Sequence, residues 1–485
     1  MITTERMAAV DRNAAALGVP RKQLMESSGN AVARAVGEVA DPDDRVTIVA
    51  GRGNNGGDAF AAARFLDAYE PRVLLLGRAE SIGTEIAREN WAALQQGEYD
   101  AHEVGDSRAL DLAGPGGATP DVVVDAMLGT GIAGALREPE ASAARAIDAS
   151  DATVVSVDVP SGVDADTGDA PESAVVADHV VTFHDAKPGL DALDADVTVA
   201  DIGIPRAAER LAGPGDLLSV RRDPHSEKGD AGRVLVVGGG PYTGAPALAA
   251  RGALRAGADL AFVSVPERVF GPIAGYAQDL IVQPYEAAHL TPAQVDGLVE
   301  TATDYDDVVV LGPGLGSAEA TEDAVREFLA AFEGRAVVDA DALSAVPEVE
   351  TGATLVCTPN RHELAAMGGP DVDDLRAASE EIEAFAAELG HVVLAKANED
   401  VATDGETTRV SRAGTSGMTV GGTGDTLAGI VAAFLASHDP LDAATMAPYA
   451  NGRAAELVGA ERGDGLLASD LLDALPEAIW RDGDG

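Results

Sequence analysis

The feature that most constrains the fold is a repeated unit. A short run of valine, leucine or isoleucine ends in a loop of glycine and polar residues, and a stretch at helical spacing follows. Residues 46–50 run into Gly51-Arg52-Gly53-Asn54-Asn55-Gly56-Gly57-Asp58 and then AFAAARFLDA. Further strands are expected at 72–76, 122–125, 153–158, 179–183 and 197–202, after two helices within residues 1–40. Alternation of this kind predicts a mostly parallel sheet covered on both faces, with ligands at the carboxyl ends of its strands. Those ends carry polar groups: Asp125, Asp158 before Pro160-Ser161-Gly162, and Lys187 after 179–183. Gly and Pro interrupt the pattern between about 203 and 223, which places a domain boundary there. A second series starts at 233–237 and continues through 308–311, the run ending at Asp339 and Asp341, and those ending at Asn360 and Lys396.

The last unit, GGTGDTLAGIVAAFL from Gly421 to Leu435, is an anion cradle. Its glycines leave backbone N–H groups free, and the helix that follows directs its positive end at the same point. Leu427, Ile430, Val431, Phe434 and Leu435 fall at helical spacing, which predicts one buried face and a rigid first turn. Asp425 then stands at a fixed helix start, either as an N-terminal cap or as a base that takes a proton from a hydroxyl attacking phosphorus.

Composition removes several function classes. The net charge of −47, from 81 acidic against 34 basic residues, repels nucleic acid and anionic membrane. It is relieved by screening, so a salt-rich cytoplasm is the expected location. No apolar run reaches spanning length, and the N-terminus lacks a signal-peptide pattern. The one cysteine, Cys357, excludes an intramolecular disulfide and a cysteine-cluster zinc site. Lysine is confined to Lys22, Lys187, Lys228 and Lys396, and three of these lie in motif-like stretches. A lysine kept in an arginine-rich chain suits work that needs a compact ammonium.

GRGNNGGD, VVDAMLGTG, SVDVPSGVDADTG and KPGL, in that order, resemble the epimerase domain that repairs hydrated NADH and NADPH. KGDAGRVLVVGGG, YTGAPALAARGALRAGA, LGPGLG, TPN and GGTGDTLAGI resemble the nucleotide-dependent NAD(P)H-hydrate dehydratase. Together they cover nearly the whole chain, which looks like the fused bifunctional repair family. The resemblance implies a Rossmann-like α/β/α epimerase domain at 1–212 and a ribokinase-like α/β domain at 222–485. It implies hydrate contacts at Asn54, Asn55, Gly56, Gly57, Asp58, Gly129, Thr130, Gly131, Ile132, Ala133, Gly134, Ala135 and Asp158. Potassium is implied at Asn55, Asp125 and Ser161, with Asp158 and Lys187 catalytic. In the second domain it implies ADP or ATP with magnesium, a hydrate pocket at Ala245 and Gly316, nucleotide contacts at Lys396, Ala397, Asn398, Glu399, Asp400 and Gly424, and Asp425 as base. The family's TPHPGE is here Thr358-Pro359-Asn360-Arg361-His362-Glu363, so both Asn360 and His362 stand as hydrate contacts. A homo-oligomer is expected.

Three other readings remain at this point. GGTGD also suits a ribokinase-type kinase for a vitamin precursor. Gly51-x-Gly-x-x-Gly56 also suits an NAD-dependent oxidoreductase, although the ribose-binding acid would then fall near Glu70, before the second strand. A non-catalytic nucleotide-binding protein is the third.

Overall fold

The computed structural model describes residues 1–114, 117–131, 134–222, 224–305 and 307–481. The chain divides into two compact units, Met1–Arg206 and Ala207–Gly485. The boundary thus precedes 207–212, which the sequence reading assigned to the first domain. These residues belong with the second unit because Ala212 N donates to Val410 O at 2.9 Å, and buried Asp216 pairs with buried Arg409 at 2.7 Å.

In the first unit the strands are β1 (Val46–Ala50), β2 (Arg72–Leu76), β3 (Ala101–Val104), β4 (Val122–Ala126), β5 (Thr153–Val157), β6 (His179–Phe183) and β7 (Asp196–Ala200). They form one parallel sheet in the order β3-β2-β1-β4-β5-β6-β7. Both alternating sets are buried in the central strands, Val49, Leu74 and Val123 on one face and Ile48, Val73 and Val124 on the other. Helices therefore cover both sides, as near-continuous apolar runs require. Strand order reverses between β1 and β4, which opens the crevice where such sheets bind ligands. The glycine loop after β1 presses against β4 there: a Cβ on Gly51 would lie 1.8 Å from Met127 O.

The second unit holds β8 (Arg233–Val237), β9 (Leu260–Pro266), β10 (Ile281–Tyr285), β11 (Val308–Leu311), β12 (Arg335–Val338), β13 (Thr354–Cys357), β14 (Val392–Ala395), β15 (Asp400–Thr403) and β16 (Thr408–Ser411). Their order is β10-β9-β8-β11-β12-β13-β14-β15-β16, parallel up to β14 and antiparallel for the last two. The switch point lies between β8 and β11. Cys357 is fully buried on β13, and burial pushes its thiol up to about 12, so it is an inert core residue. No helix among the described residues is long and apolar enough to cross a membrane.

The helix Thr423–Leu435 is buried along its whole circumference from Thr426 to Leu435, not on one face as its spacing predicts. Small residues explain the difference, since Ala428, Gly429, Ala432 and Ala433 fill the positions between the large ones. Against the helix Gly244–Arg255 the two backbones nearly touch. A Cβ on Gly429 would lie 1.9 Å from Ala249 O, and one on Gly252 would lie 2.6 Å from Thr426 O. Gly429→Ala is expected to destabilise the second unit by about 2–3 kcal/mol through overpacking. Denaturant unfolding would show it as a lower midpoint at unchanged slope.

Candidate functional site

Two constellations form, one at the strand ends of each sheet. In the first unit, Asp125, the penultimate residue of β4, is fully buried and its carboxylate accepts from Ser161 Oγ at 2.6 Å, Ser161 N at 2.8 Å, Ser156 Oγ at 2.9 Å and Met127 N at 3.3 Å. Burial pushes this carboxyl above its ordinary value, while these donors pull it back. Ser161 Oγ in turn accepts from Leu128 N at 3.0 Å, and Leu128 O accepts from Asn55 Nδ2 at 3.0 Å. Gly129 sits directly against Asn55. Asn55, Asp125, Ser161 and Gly129 are thus brought together, as an all-oxygen donor set of carboxylate, amide and hydroxyl that suits a hard cation.

Asp158 was expected to end the strand 153–158. It lies outside β5, with φ at +67°, because the chain turns sharply there towards Pro160. Aspartate tolerates this left-handed conformation better than most side chains. The turn aims its carboxylate at Lys187, whose Nζ lies 3.0 Å from Asp158 Oδ1. Lys187 is 1% exposed and donates to Thr182 Oγ1 and Phe183 O at 2.9 Å each. Thr182 Oγ1 donates onward to Asp158 Oδ1 at 3.2 Å. Asp58 is half-buried on the helix Asn54–Phe65, and its carboxyl is pushed well up by burial, then by the charges of Asp158 and Asp11. Asn54, Gly131, Gly134 and Ala135 are exposed and Thr130 is half-buried, while Gly56 and Gly57 are buried in the helix start. Ile132 and Ala133 lie outside the described residues.

In the second unit, Gly422 enters the helix Thr423–Leu435 at φ +99° and is its N-cap, so Asp425 is not the cap. Asp425 stands in the first turn. Burial, then the charge of Asp339, pushes its carboxyl up to about 7, against the pull of Lys396. Lys396 Nζ lies 2.6 Å from Asp339 Oδ1, which also accepts from Thr358 Oγ1 at 2.8 Å. A Cβ on Gly424 would meet Lys396 Nζ at 3.4 Å, so the ammonium lies over the glycine start of the helix. Cation and helix N-terminus converge on one spot, which is a place for an anion.

Gly316 N donates to Asp341 Oδ2 at 2.8 Å, and the loop of Gly314 and Gly316 packs on Pro241, Tyr242 and Ala245. Ala245 and Gly316 therefore share one wall. Asn360 caps the helix Arg361–Ala366, accepting from His362 N at 2.9 Å and Glu363 N at 3.1 Å, while Glu363 Oε2 accepts from Asn360 N at 2.7 Å. His362 is exposed. Beyond Lys396, Ala397 N bonds Asp400 Oδ1 at 2.9 Å, and Asp400, largely buried, is pushed up to about 7. Asn398 is exposed, and Glu399 is held by Arg376 at 2.6 Å and Arg412 at 3.1 Å.

The chain's N-terminal half matches the family model described as YjeF-related protein N-terminus over residues 21–189, and residues 234–477 match the one described as NAD(P)H-hydrate dehydratase. The bifunctional NAD(P)H-hydrate repair enzyme Nnr of Pyrobaculum aerophilum is 43% identical over 99% of this chain and 98% of its own. That of Methanothermobacter thermautotrophicus is 41% identical over 98% and 94%. The chain belongs to the bifunctional NAD(P)H-hydrate repair enzyme family. Its ribokinase-like half is also seen in fold: a ribokinase-like superfamily protein of Enterococcus faecalis, 23% identical, superposes with a TM-score of 0.51 over 57% of this chain and 97% of that one.

Within this repair-family chain, the structure adds residues that the sequence reading left unassigned. Thr182 binds both Asp158 and Lys187, and Asp339, Thr358 and Glu363 surround Lys396 and Asp425. Glu363, three residues after Asn360, carried a readable sign as the second half of a capping box. Asp11 carried none, since it is one acid on an ordinary N-terminal helix. The acid that the oxidoreductase reading would use, Glu70, precedes β2, which ends at Leu76 and leads into Gly77 and Arg78, so no acid stands at the strand end itself.

Proposed function

We propose that the chain repairs hydrated nicotinamide nucleotides in two steps, the first unit interconverting the R and S hydrates and the second dehydrating the S form at the expense of ADP or ATP. The observation that carries this reading is Asp425, tuned to about 7 at a glycine-rich helix start beside the Lys396 ammonium. A carboxyl at that value is ionised in part at neutral pH and can accept a proton. In this reading the ionised Asp425 takes the hydroxyl proton as the hydrate oxygen attacks the terminal phosphorus, and the bond from phosphorus to the nucleotide breaks. The Gly422 to Gly424 amides and Lys396 hold the transferring group. Phosphate then leaves the ring carbon, the neighbouring ring carbon gives up a proton to the departing phosphate or water, and the ring double bond re-forms. Magnesium, borne on the phosphates, would find the carboxylates of Asp341 and Glu363 and would offset charge.

In the first unit Asp158, held by Lys187 and Thr182, transfers a proton during inversion at the hydrated carbon, with Asn54, Asn55, Gly56, Gly57, Asp58, Gly129, Thr130, Gly131, Gly134 and Ala135 as hydrate contacts. Potassium fits the oxygen set of Asn55, Asp125 and Ser161 and would supply a compensating charge to the buried Asp125 carboxylate. Ala245, Gly316, Asn360 and His362 contact the hydrate in the second unit, and Lys396 with Ala397, Asn398, Glu399, Asp400 and Gly424 contacts the nucleotide. The setting is a salt-rich cytoplasm, and the chain acts as a homo-oligomer, for which exposed Val197 and Val199 on edge strand β7 offer surface.

The test is recovery of reduced-nicotinamide absorbance from a mixed-epimer hydrate at high KCl with magnesium and ADP or ATP. Wild type is expected to convert both epimers, and Asp158→Ala only the S form rapidly. Consumption of nucleotide with no absorbance recovered would overturn the reading.

A further inference from the structure

The carboxyl end of β2 carries a cationic corner beside the first site. Gly77 follows β2 at φ +119°, and a Cβ on it would lie 2.8 Å from Cδ and 3.3 Å from Nε of Arg52. The Arg52 side chain therefore crosses the end of β2 through space that only glycine leaves. Arg52 O accepts from Gly83 N at 2.8 Å, which ties the glycine loop after β1 to the loop after β2. Its side chain is 45% exposed and meets Glu140 Oε1 at 3.4 Å. Arg78 comes directly after Gly77, is exposed, and meets Glu80 Oε1 at 3.4 Å. A guanidinium has five N–H donors, and one long contact leaves most of them for another acceptor. We propose that Arg52 and Arg78 form a phosphate subsite, which binds the 2′-phosphate on the adenosine ribose of the NADPH hydrate and makes the first unit prefer that hydrate to the NADH hydrate. This rests on the reading of the first unit as an epimerase.

Strand order supplies the direction. Asp158 and Lys187, which pair at 3.0 Å, follow β5 and β6, and the glycine-rich start of the helix Asn54–Phe65 follows β1. A dinucleotide with its hydrated ring at the pair and its pyrophosphate at the helix start continues past β1. On that side the next strand is β2, in the order β2-β1-β4-β5-β6. Three inter-strand steps separate β5 from β2, about 14 Å in all, a span for two linked nucleotides rather than one. In doubly wound sheets the adenosine ribose lies at the end of the second strand, where an acid holds its 2′-hydroxyl and an arginine accommodates a 2′-phosphate instead. Here Leu76 leads into Gly77-Arg78, and Glu80, the next acid, is exposed and turned to Arg78. With 81 acidic against 34 basic residues, the surface as a whole repels a dianion. Two arginines on adjoining loops reverse that field locally and offer the planar, charge-assisted donors that a phosphate takes best.

The test uses the full chain with magnesium and ATP at one fixed KCl concentration, on NADPH hydrate and NADH hydrate in parallel. Once the S form is consumed, absorbance recovers in a slower, enzyme-dependent phase set by conversion of the R form. For that phase, the ratio of kcat/KM on NADPH hydrate to that on NADH hydrate is expected to be about 10 in wild type, the weight of charge-assisted hydrogen bonds to a phosphate in salt. Arg78→Ala, at an exposed position, is expected to bring the ratio to about 2–3 by raising KM for the NADPH hydrate, and adding Arg52→Gln to about 1. Arg78→Lys keeps the charge and most of the preference. A ratio that is the same in wild type and in both alanine-bearing variants, or a wild type that prefers the NADH hydrate, overturns the proposal. Equal losses on the two hydrates overturn it as well and leave the arginines as supports of the loops. A wild type with no enzyme-dependent slow phase on either hydrate overturns the epimerase reading itself, which separates the two failures.

Discussion

Asp425→Asn is expected to lower nucleotide-dependent dehydration by about 10²–10⁴-fold, the usual contribution of a general base, and yet to stabilise the second unit. In the unfolded chain this carboxyl ionises near its ordinary value of 3.8, whereas in the folded chain it does so at about 7. Between those values the folded state must keep a proton that the unfolded state has lost, and above about 7 it must hold a buried charge beside Asp339. The penalty is therefore complete above pH 7, shrinks as pH falls, and is gone below about 4. Asparagine removes it, so unfolding at pH 8 is expected to show a gain of about 2 kcal/mol, discounted for the partial exposure of the site, that vanishes at pH 4. Wild-type dehydration should fall on the acid side of a limb near pH 7. Conversion of the R to the S hydrate serves as the internal control and should be unchanged. A variant both inactive and less stable at pH 8 would mean that Asp425 holds the helix start together and is not tuned for proton transfer.

Lys187→Met is expected to have the largest effect in the first unit. The ammonium is 1% exposed and serves Asp158 Oδ1, Thr182 Oγ1 and Phe183 O at 2.9 to 3.0 Å. Methionine fills most of the volume but leaves the Asp158 carboxylate, in its left-handed turn, without its counter-charge. Removing one partner of a buried pair destabilises by about 3–5 kcal/mol because the other charge stays behind. Denaturant unfolding of the first unit should show that loss, and the R hydrate should no longer be converted. The double variant Lys187→Met, Asp158→Leu is expected to regain most of the stability but none of the activity. If the single variant kept both wild-type stability and epimerisation, the pairing would have neither structural nor chemical weight.

Strands 46–50, 72–76, 179–183, 233–237 and 308–311 were legible in the sequence to the residue, because each is a short run dominated by valine, leucine, isoleucine and other strand-forming residues and closed by a polar or glycine loop. Strands β3, β10, β15 and β16 were not. Each lies at or near a sheet edge and interrupts its apolar run with polar residues, exposed in AHEV and IVQPY and buried in DVAT and TRVS, where Thr403, Arg409 and Ser411 are enclosed. Strand β9 escaped for another reason, since it follows its helix with little loop between. Asp158 shows the limit of periodicity at a strand end, where the pattern VVSVD continues smoothly while the backbone reverses at φ +67°.

The sequence alone determined the alternation of central strands with helices, the glycine-rich helix start at Gly421 to Asp425 and the acids at strand ends, because each is written within a few neighbouring residues as spacing or turn chemistry. Only the tertiary structure decided which charges meet. Asp11 on the first helix reaches the field of Lys187, Asp339 after β12 captures Lys396 after β14, and the Asp425 carboxyl is pushed up first by burial and then by Asp339 against the pull of Lys396. Burial and Coulomb interaction act through space, so they follow the packing of elements far apart in the chain.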